Sequence, residues 1–225
     1  MRRDVKQIEK KEMKAEDAGV ASLCELWEAL RPSYAQRWNG EEPAPLVVGE
    51  GCAKEPALML VGEAPGGEEA LQGRPFVGKA GKNLDSFLSV LGVERADVYI
   101  TNVVKIRPSR RSAAGRIVNR PPTREETAFF TPWLRREMLL VKPKALITLG
   151  NVAMHAFLPK EAAIGECHGR WHNVCLKERN AEMAVPMFAL YHPAAVIYRT
   201  ALKETYQQDL ETLRDSLAGI SGQEE

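Results

Sequence analysis

The sequence predicts an α/β fold in three layers, α/β/α, with a central four-stranded parallel sheet and an N-terminal helical extension. Three observations lead there. Four short, continuous apolar runs are separated by longer amphipathic stretches, the pattern of strands covered on both faces by crossover helices. Polar and glycine-bearing segments follow each run, at what becomes the carboxyl end of a strand. The 225 residues, 44% hydrophobic and 27% charged, suffice for one globular domain with a full core.

Residues 1–35 are rich in Lys, Glu, Ala and Leu at helical spacing, and Pro43 and Pro45 break that pattern, so residues 1–45 form the extension. Strands are expected at 57–61, 98–104, 145–149 and 185–190. A helix over 82–91 ends at Gly92, a C-cap residue; Thr123 and Glu126 have capping-box spacing; and residues 202–217 are charged and periodic. The domain then spans 46–218, with a disordered tail at 219–225. No apolar run is long enough for a bilayer, and the start Met1-Arg2-Arg3-Asp4 lacks a signal-peptide core, so a cytoplasmic location is expected. Cys24, Cys52, Cys167 and Cys175 form no CxxC pair, and disulfides are not expected.

A net charge of +1 argues against a globally basic nucleic-acid binder, so any attraction for phosphates must be local. Such a cluster exists: Lys105, Arg107, Arg110, Arg111, Arg116, Arg120 and Arg124 precede Glu125 with no acidic residue between. Taken alone, such a run is more often a solvated loop.

The chemistry gathers after the strands. Gly62-Glu63-Ala64-Pro65-Gly66 follows the first, Asn102 ends the second, Gly150-Asn151 follows the third and His192-Pro193-Ala194 the fourth. The glycine turn lacks both the Walker lysine and dinucleotide spacing, which excludes an NTPase reading. Together with Gly73-Arg74-Pro75-Phe76-Val77-Gly78, these residues supply what a base-excision pocket needs. Phe76 offers an aromatic face to a flipped base, the Asn102 amide pairs with an edge showing one donor and one acceptor, and His192 polarises a carbonyl of the leaving base. Outside this setting, a core aromatic and a structural histidine would be the ordinary readings of Phe76 and His192.

These segments, with Gly73 through Gly81, Tyr99-Ile100-Thr101-Asn102-Val103-Val104-Lys105 and His192-Pro193-Ala194, resemble family 4 uracil-DNA glycosylases over about residues 47 to 213. The resemblance implies that Phe76 stacks on uracil, Asn102 reads its polar edge, and His192 hydrogen-bonds a carbonyl as negative charge develops. It also implies that Glu63 and the turn after it orient water and the sugar. Ala64 borders the pocket, and Glu69 stands against carbon 5 of the base so that thymine's methyl clashes. The partner would be uracil-containing DNA, single- or double-stranded, met by a monomer associated with the nucleoid and not with a membrane. Lys105, Arg107, Arg110, Arg111, Arg116 and Arg120 would face DNA, with Ile197 as an apolar wedge and Arg199 beside it.

The sequence departs from that family where most members hold an iron–sulfur cluster. Ile106 and Phe130 stand at two ligand positions, and Cys24 has no partner three residues away, so no cofactor is expected. Cys167-His168 and His172-xx-Cys175 offer four zinc-type ligands, but their spacing is not that of a usual finger, and no metal is expected. An insertion of about eight residues separates Arg107-Pro108 from Asn119-Arg120-Pro121. It contains no histidine of the kind a DNA-bonding variant group uses there, so ordinary turnover is expected. Two other readings stay open at this point: a glycosylase preferring another deaminated base, and a DNA-binding protein that kept the pocket but lost turnover.

Overall fold

The computed structural model describes residues 21–38, 44–178, 181–198 and 200–221. The chain divides into two compact units, residues 1–44 and 45–225. In the first, helix α1 (Leu23–Arg37) begins where Ser22 Oγ accepts a hydrogen bond from the Glu25 amide at 3.3 Å, and it buries Leu26, Leu30 and Tyr34. The remainder of the expected N-terminal helix, residues 1–20, lies outside the described residues.

The second unit is built on a six-stranded sheet. In chain order its strands are β1 (Glu50–Gly51), β2 (Leu58–Gly62), β3 (Tyr99–Asn102), β6 (Ala145–Leu149), β7 (Trp171–Glu178) and β8 (Ala181–Leu190), arranged β1-β3-β2-β6-β8-β7. The four central strands run parallel, as the apolar runs predict, and β1 and β7 add an antiparallel strand at each edge. A separate hairpin, β4 (Ser109–Arg111) with β5 (Ile117–Asn119), is formed by the insertion.

Strand alternation sorts the core into two faces. Leu58, Leu60, Ile100, Ile147 and Phe188 pack in one cluster with Leu84 and Phe87 of α3 (Lys79–Leu91) and with Leu210 and Leu213 of α8 (Lys203–Ser221). Tyr99 belongs to the other face, where its hydroxyl donates at 2.9 Å to Glu137 of α4 (Arg124–Val141). Helix α3 ends where Gly92 adopts φ +69°, and α4 starts at a capping box: Thr123 Oγ1 accepts from the Glu126 amide, and Glu126 accepts from the Thr123 amide. Helix α8 continues past residue 218 to Ser221, into the segment expected to be disordered; residues 222–225 lie outside the described residues.

The topology fixes where a ligand can approach. The connection from β2 leads to β3 on one side and the connection from β6 leads toward β8 on the other, so a crevice opens between the carboxyl ends of β2 and β6. Register aligns those ends, pairing Gly62 with Asn102, Val61 with Thr148, and Thr148 with Ala189.

Candidate active site

Gly62 closes β2, and a Cβ placed on it would run into the Phe76 ring and the Asn102 side-chain oxygen. Only glycine lets both groups meet there. Phe76 is buried and has φ +52°, a left-handed conformation that costs a non-glycine residue on the order of 1 kcal/mol. Its neighbours hold it in place. The Val77 and Gly78 amides donate to Glu69 Oε1 at 3.1 and 2.8 Å, and Arg95 donates to the Pro75 carbonyl at 2.7 Å. The other Glu69 oxygen accepts from the Gly66 amide at 3.0 Å, so one carboxylate on α2 (Gly67–Gln72) fastens the loop after β2 to the loop that bears Phe76.

Asn102 is 2% exposed, and among the described residues its side-chain amide has no protein partner, which leaves both N–H donors and the carbonyl oxygen available to a ligand. Its backbone carbonyl is held by Lys105 Nζ at 2.7 Å. Lys105 also donates to Thr101 Oγ1 at 2.6 Å and to Glu137 at 2.5 Å, with both ion-pair side chains fully buried. Burial draws the lysine below its ordinary range, and the facing carboxylate opposes that.

His192 lies just beyond β8 at the end of the same crevice, its ring centroid 6.1 Å from that of Phe76 and the two planes within 27° of parallel. Its Nδ1 accepts from the Ala194 amide at 3.1 Å. Desolvation lowers its pKa to about 4, so the ring is neutral at physiological pH and carries its proton on Nε2. Asn83 of α3 donates to the Pro193 carbonyl at 3.3 Å, and His168, paired with Asp209 at 2.8 Å, lies 4.6 Å from the Tyr191 ring, so both neighbours of His192 are supported. Glu63 is half-buried and raised in pKa by desolvation, and its carboxylate has no protein partner among the described residues. Ala64, next along the turn, is also half-buried.

An apolar ring face, an unpaired amide, a neutral imidazole donor and a free carboxylate thus border one crevice. That combination suits a planar heterocycle whose edge mixes donors and acceptors and on which negative charge builds. The profile of the Uracil DNA glycosylase superfamily matches residues 48–214 of this chain. The chain belongs to that superfamily. It is 42% identical to a type-4 uracil-DNA glycosylase of Pyrobaculum aerophilum over 147 residues, 65% of this chain and 71% of the relative. A type-4 enzyme of Archaeoglobus fulgidus is 39% identical over 154 residues, 67% and 71% of the two chains, and one of Sulfurisphaera tokodaii 36% over 174, 75% and 73%.

Within this superfamily member, two of the residues expected to face DNA are held by the protein's own carboxylates. Lys105 is fully buried in its ion pair, and Arg120 is bound bidentately to Glu126 at 2.7 Å through both terminal nitrogens while its Nε donates to the Ser109 carbonyl. Glu137, 32 residues away, encloses the Lys105 charge, whereas Arg120 stays part-exposed beside Glu126, six residues away. Arg110, Arg111 and Arg116 are exposed on the β4–β5 hairpin. Arg107 rests its guanidinium on Gly67 and donates to Asn119 at 2.8 Å, tying the hairpin to the start of α2. Ile197 falls in α7 (Pro193–Tyr198), though its side chain is not described, and Arg199 lies outside the described residues.

The residues present do not fit an iron–sulfur cluster. Ile106 and Phe130, 5% and 0% exposed, fill two ligand positions with hydrocarbon, and all four cysteines are free thiols. The zinc-type set is dispersed: His172 and Cys175 are an odd number apart on β7 and so face opposite ways, and the His168 Nδ1 is taken by Asp209. Among the described residues no three metal-binding groups come together. The sequence reading missed Arg95, Glu137 and Asp209, which lock the loops and strand end that carry the site. Each binds a partner remote in sequence, and no local motif signals that.

Proposed function

We propose that this chain is a monofunctional DNA glycosylase that hydrolyses the N-glycosidic bond of uracil in DNA, taking the base out of the helix into the crevice between β2 and β6. The observation that carries this reading is the meeting of Phe76 and Asn102 at Gly62, with the His192 ring near-parallel to that of Phe76 and its proton on Nε2. Uracil lies against the Phe76 face, the Asn102 amide pairs with its N3–H and a carbonyl, and Nε2–H donates to the other carbonyl oxygen. As the bond to C1′ lengthens, positive charge grows on the sugar and negative charge on the ring. A neutral, preorganised donor is worth more to the anion than to the neutral base, so it lowers the barrier. Glu63, held by burial above the ordinary carboxylate range, orients the water that adds to C1′ and favours the cationic sugar.

Glu69 keeps its place against carbon 5 of the base, because a steric clash with thymine's methyl needs no free oxygen. Ala64 borders the same wall. Arg107, Arg110, Arg111 and Arg116 contact phosphates, and Ile197 and Arg199 enter the duplex near the vacated base. The protein works without a cofactor, as a monomer, in the cytoplasm at the nucleoid. Among the described residues no helix is long and apolar enough to cross a membrane.

Oligonucleotides bearing uracil, hypoxanthine, xanthine or thymine, incubated with the protein and then cleaved with alkali at abasic sites, test this. Breakage confined to uracil supports the proposal, and breakage mainly at hypoxanthine or xanthine replaces it with a glycosylase for another deaminated base. No breakage despite tight binding to abasic DNA makes this a DNA-binding protein.

A further inference from the structure

We infer that the β4–β5 hairpin is a DNA-entering arm, and that Ile117 on it is an apolar wedge that holds duplex DNA open beside the excised nucleotide; this rests on the function proposed above. The placement follows from the register. Arg111 pairs with Ile117 and Ser109 with Asn119, so these four side chains share one face of the hairpin, with Arg110 and Val118 on the other. That shared face is turned toward the crevice at its base: the Asn119 amide nitrogen lies 3.4 Å from where a Cβ of Gly66 would stand, and Arg107 both holds Asn119 and covers Gly67. Gly66 ends the turn that carries Glu63, and Gly67 opens α2. Two residues further out, about 7 Å along the strand, Ile117 reaches away from the catalytic loop with Arg111 opposite it.

Ile117 is 57% exposed, and among the described residues the other large apolar side chain left in solvent is Leu71. The hairpin is too small to bury it. A turn closed by Gly115, with φ +74° and an amide donating to the Ser112 carbonyl at 2.9 Å, sets the tip next to Arg116 and Ile117. An aliphatic side chain flanked by guanidinium groups matches a duplex, where arginines meet phosphates and the hydrocarbon enters an unstacked step. A protein surface or a membrane would have to neutralise the same arginines, and among the described residues no carboxylate pairs with Arg110 or Arg116. Unstacking is needed only in a duplex, so the wedge adds to activity on double strands and not on single strands.

The test compares full-length wild type with Ile117→Ala and with the conservative Ile117→Leu. Duplexes carry 2-aminopurine next to uracil, or next to a non-cleavable abasic analogue. Wild type should raise the 2-aminopurine fluorescence of both duplexes. Ile117→Ala should lose most of that rise and lower the duplex-to-single-strand excision ratio roughly tenfold, the scale of one lost stacking contact, while Ile117→Leu restores both and melting temperature and salt slope stay unchanged. An unchanged ratio and an unchanged fluorescence rise in Ile117→Ala overturn the inference, as does an equal loss on single strands. If wild type excises no uracil, the functional proposal fails, and the abasic duplex still decides the wedge by fluorescence alone.

Discussion

The backbone N–H of Ala194 donates to Nδ1 of His192 at 3.1 Å, which fixes the proton of the neutral imidazole on Nε2. Desolvation lowers the pKa of the folded residue to about 4, against 6.5 for an unfolded histidine. Between those values the unfolded chain binds more protons, so the stability linked to His192 is complete above the unfolded value and erodes as pH falls toward 4. Glu63 acts in the opposite sense, since its raised carboxyl holds a proton longer in the folded state than in the unfolded. Excision should therefore be flat around neutrality, with an acid limb that belongs to Glu63. In single-turnover rates across the acid and neutral range, Glu63→Gln should lower the plateau and flatten that limb, and His192→Ala should keep it. A limb that vanishes with His192→Ala contradicts the assignment.

Asn102→Asp should reduce uracil excision severely. The carboxylate offers acceptors only, and a buried group left without its partner costs about 1–3 kcal/mol, more when charged. Steady-state kinetics on uracil-containing DNA would show the loss. Near-normal rates would reduce Asn102 to a structural strand end.

Lys105→Ala should unfold the protein more readily and leave the salt dependence of DNA binding intact. Removing one partner of a buried pair costs about 3–5 kcal/mol, a melting-temperature drop of roughly 10 °C in a domain of this size. A stable variant with a weakened salt slope would return Lys105 to the DNA surface.

The contrast between Lys105 and the residues around it shows what the sequence reveals and what it does not. The four central strands were legible because each is a continuous apolar run between turns, and the loops at their ends were legible because glycine, asparagine and histidine interrupt those runs. β7 is not legible as a strand, because Val174 and Leu176 are the two inward apolar residues in a run otherwise polar or half-exposed. β1, only two residues long, carries no pattern at all. Lys105 looked like part of a basic run since Glu137, which buries it, lies 32 residues on. Glu69 was placed in the pocket wall by resemblance, but its grip on three backbone amides is a tertiary fact that spacing does not encode.

Purified protein should be colourless and fully active after treatment with a chelator. Ile106 and Phe130 offer no ligand atom, and their burial closes the space with hydrocarbon. Iron and sulfide analysis with a visible spectrum checks this. A brown protein with near-stoichiometric iron clusters would show that other residues assemble a site.

The most direct measurement is the single-turnover rate of uracil release by wild type and His192→Ala, taken alongside affinity for abasic-site DNA and the melting temperature. The account predicts measurable release by wild type and a loss of roughly a hundredfold or more in the variant, the scale of one preorganised donor, with affinity and melting temperature little changed. Release by His192→Ala at near wild-type rate, or unfolding of that variant, would contradict the catalytic role of Nε2–H on which the account stands.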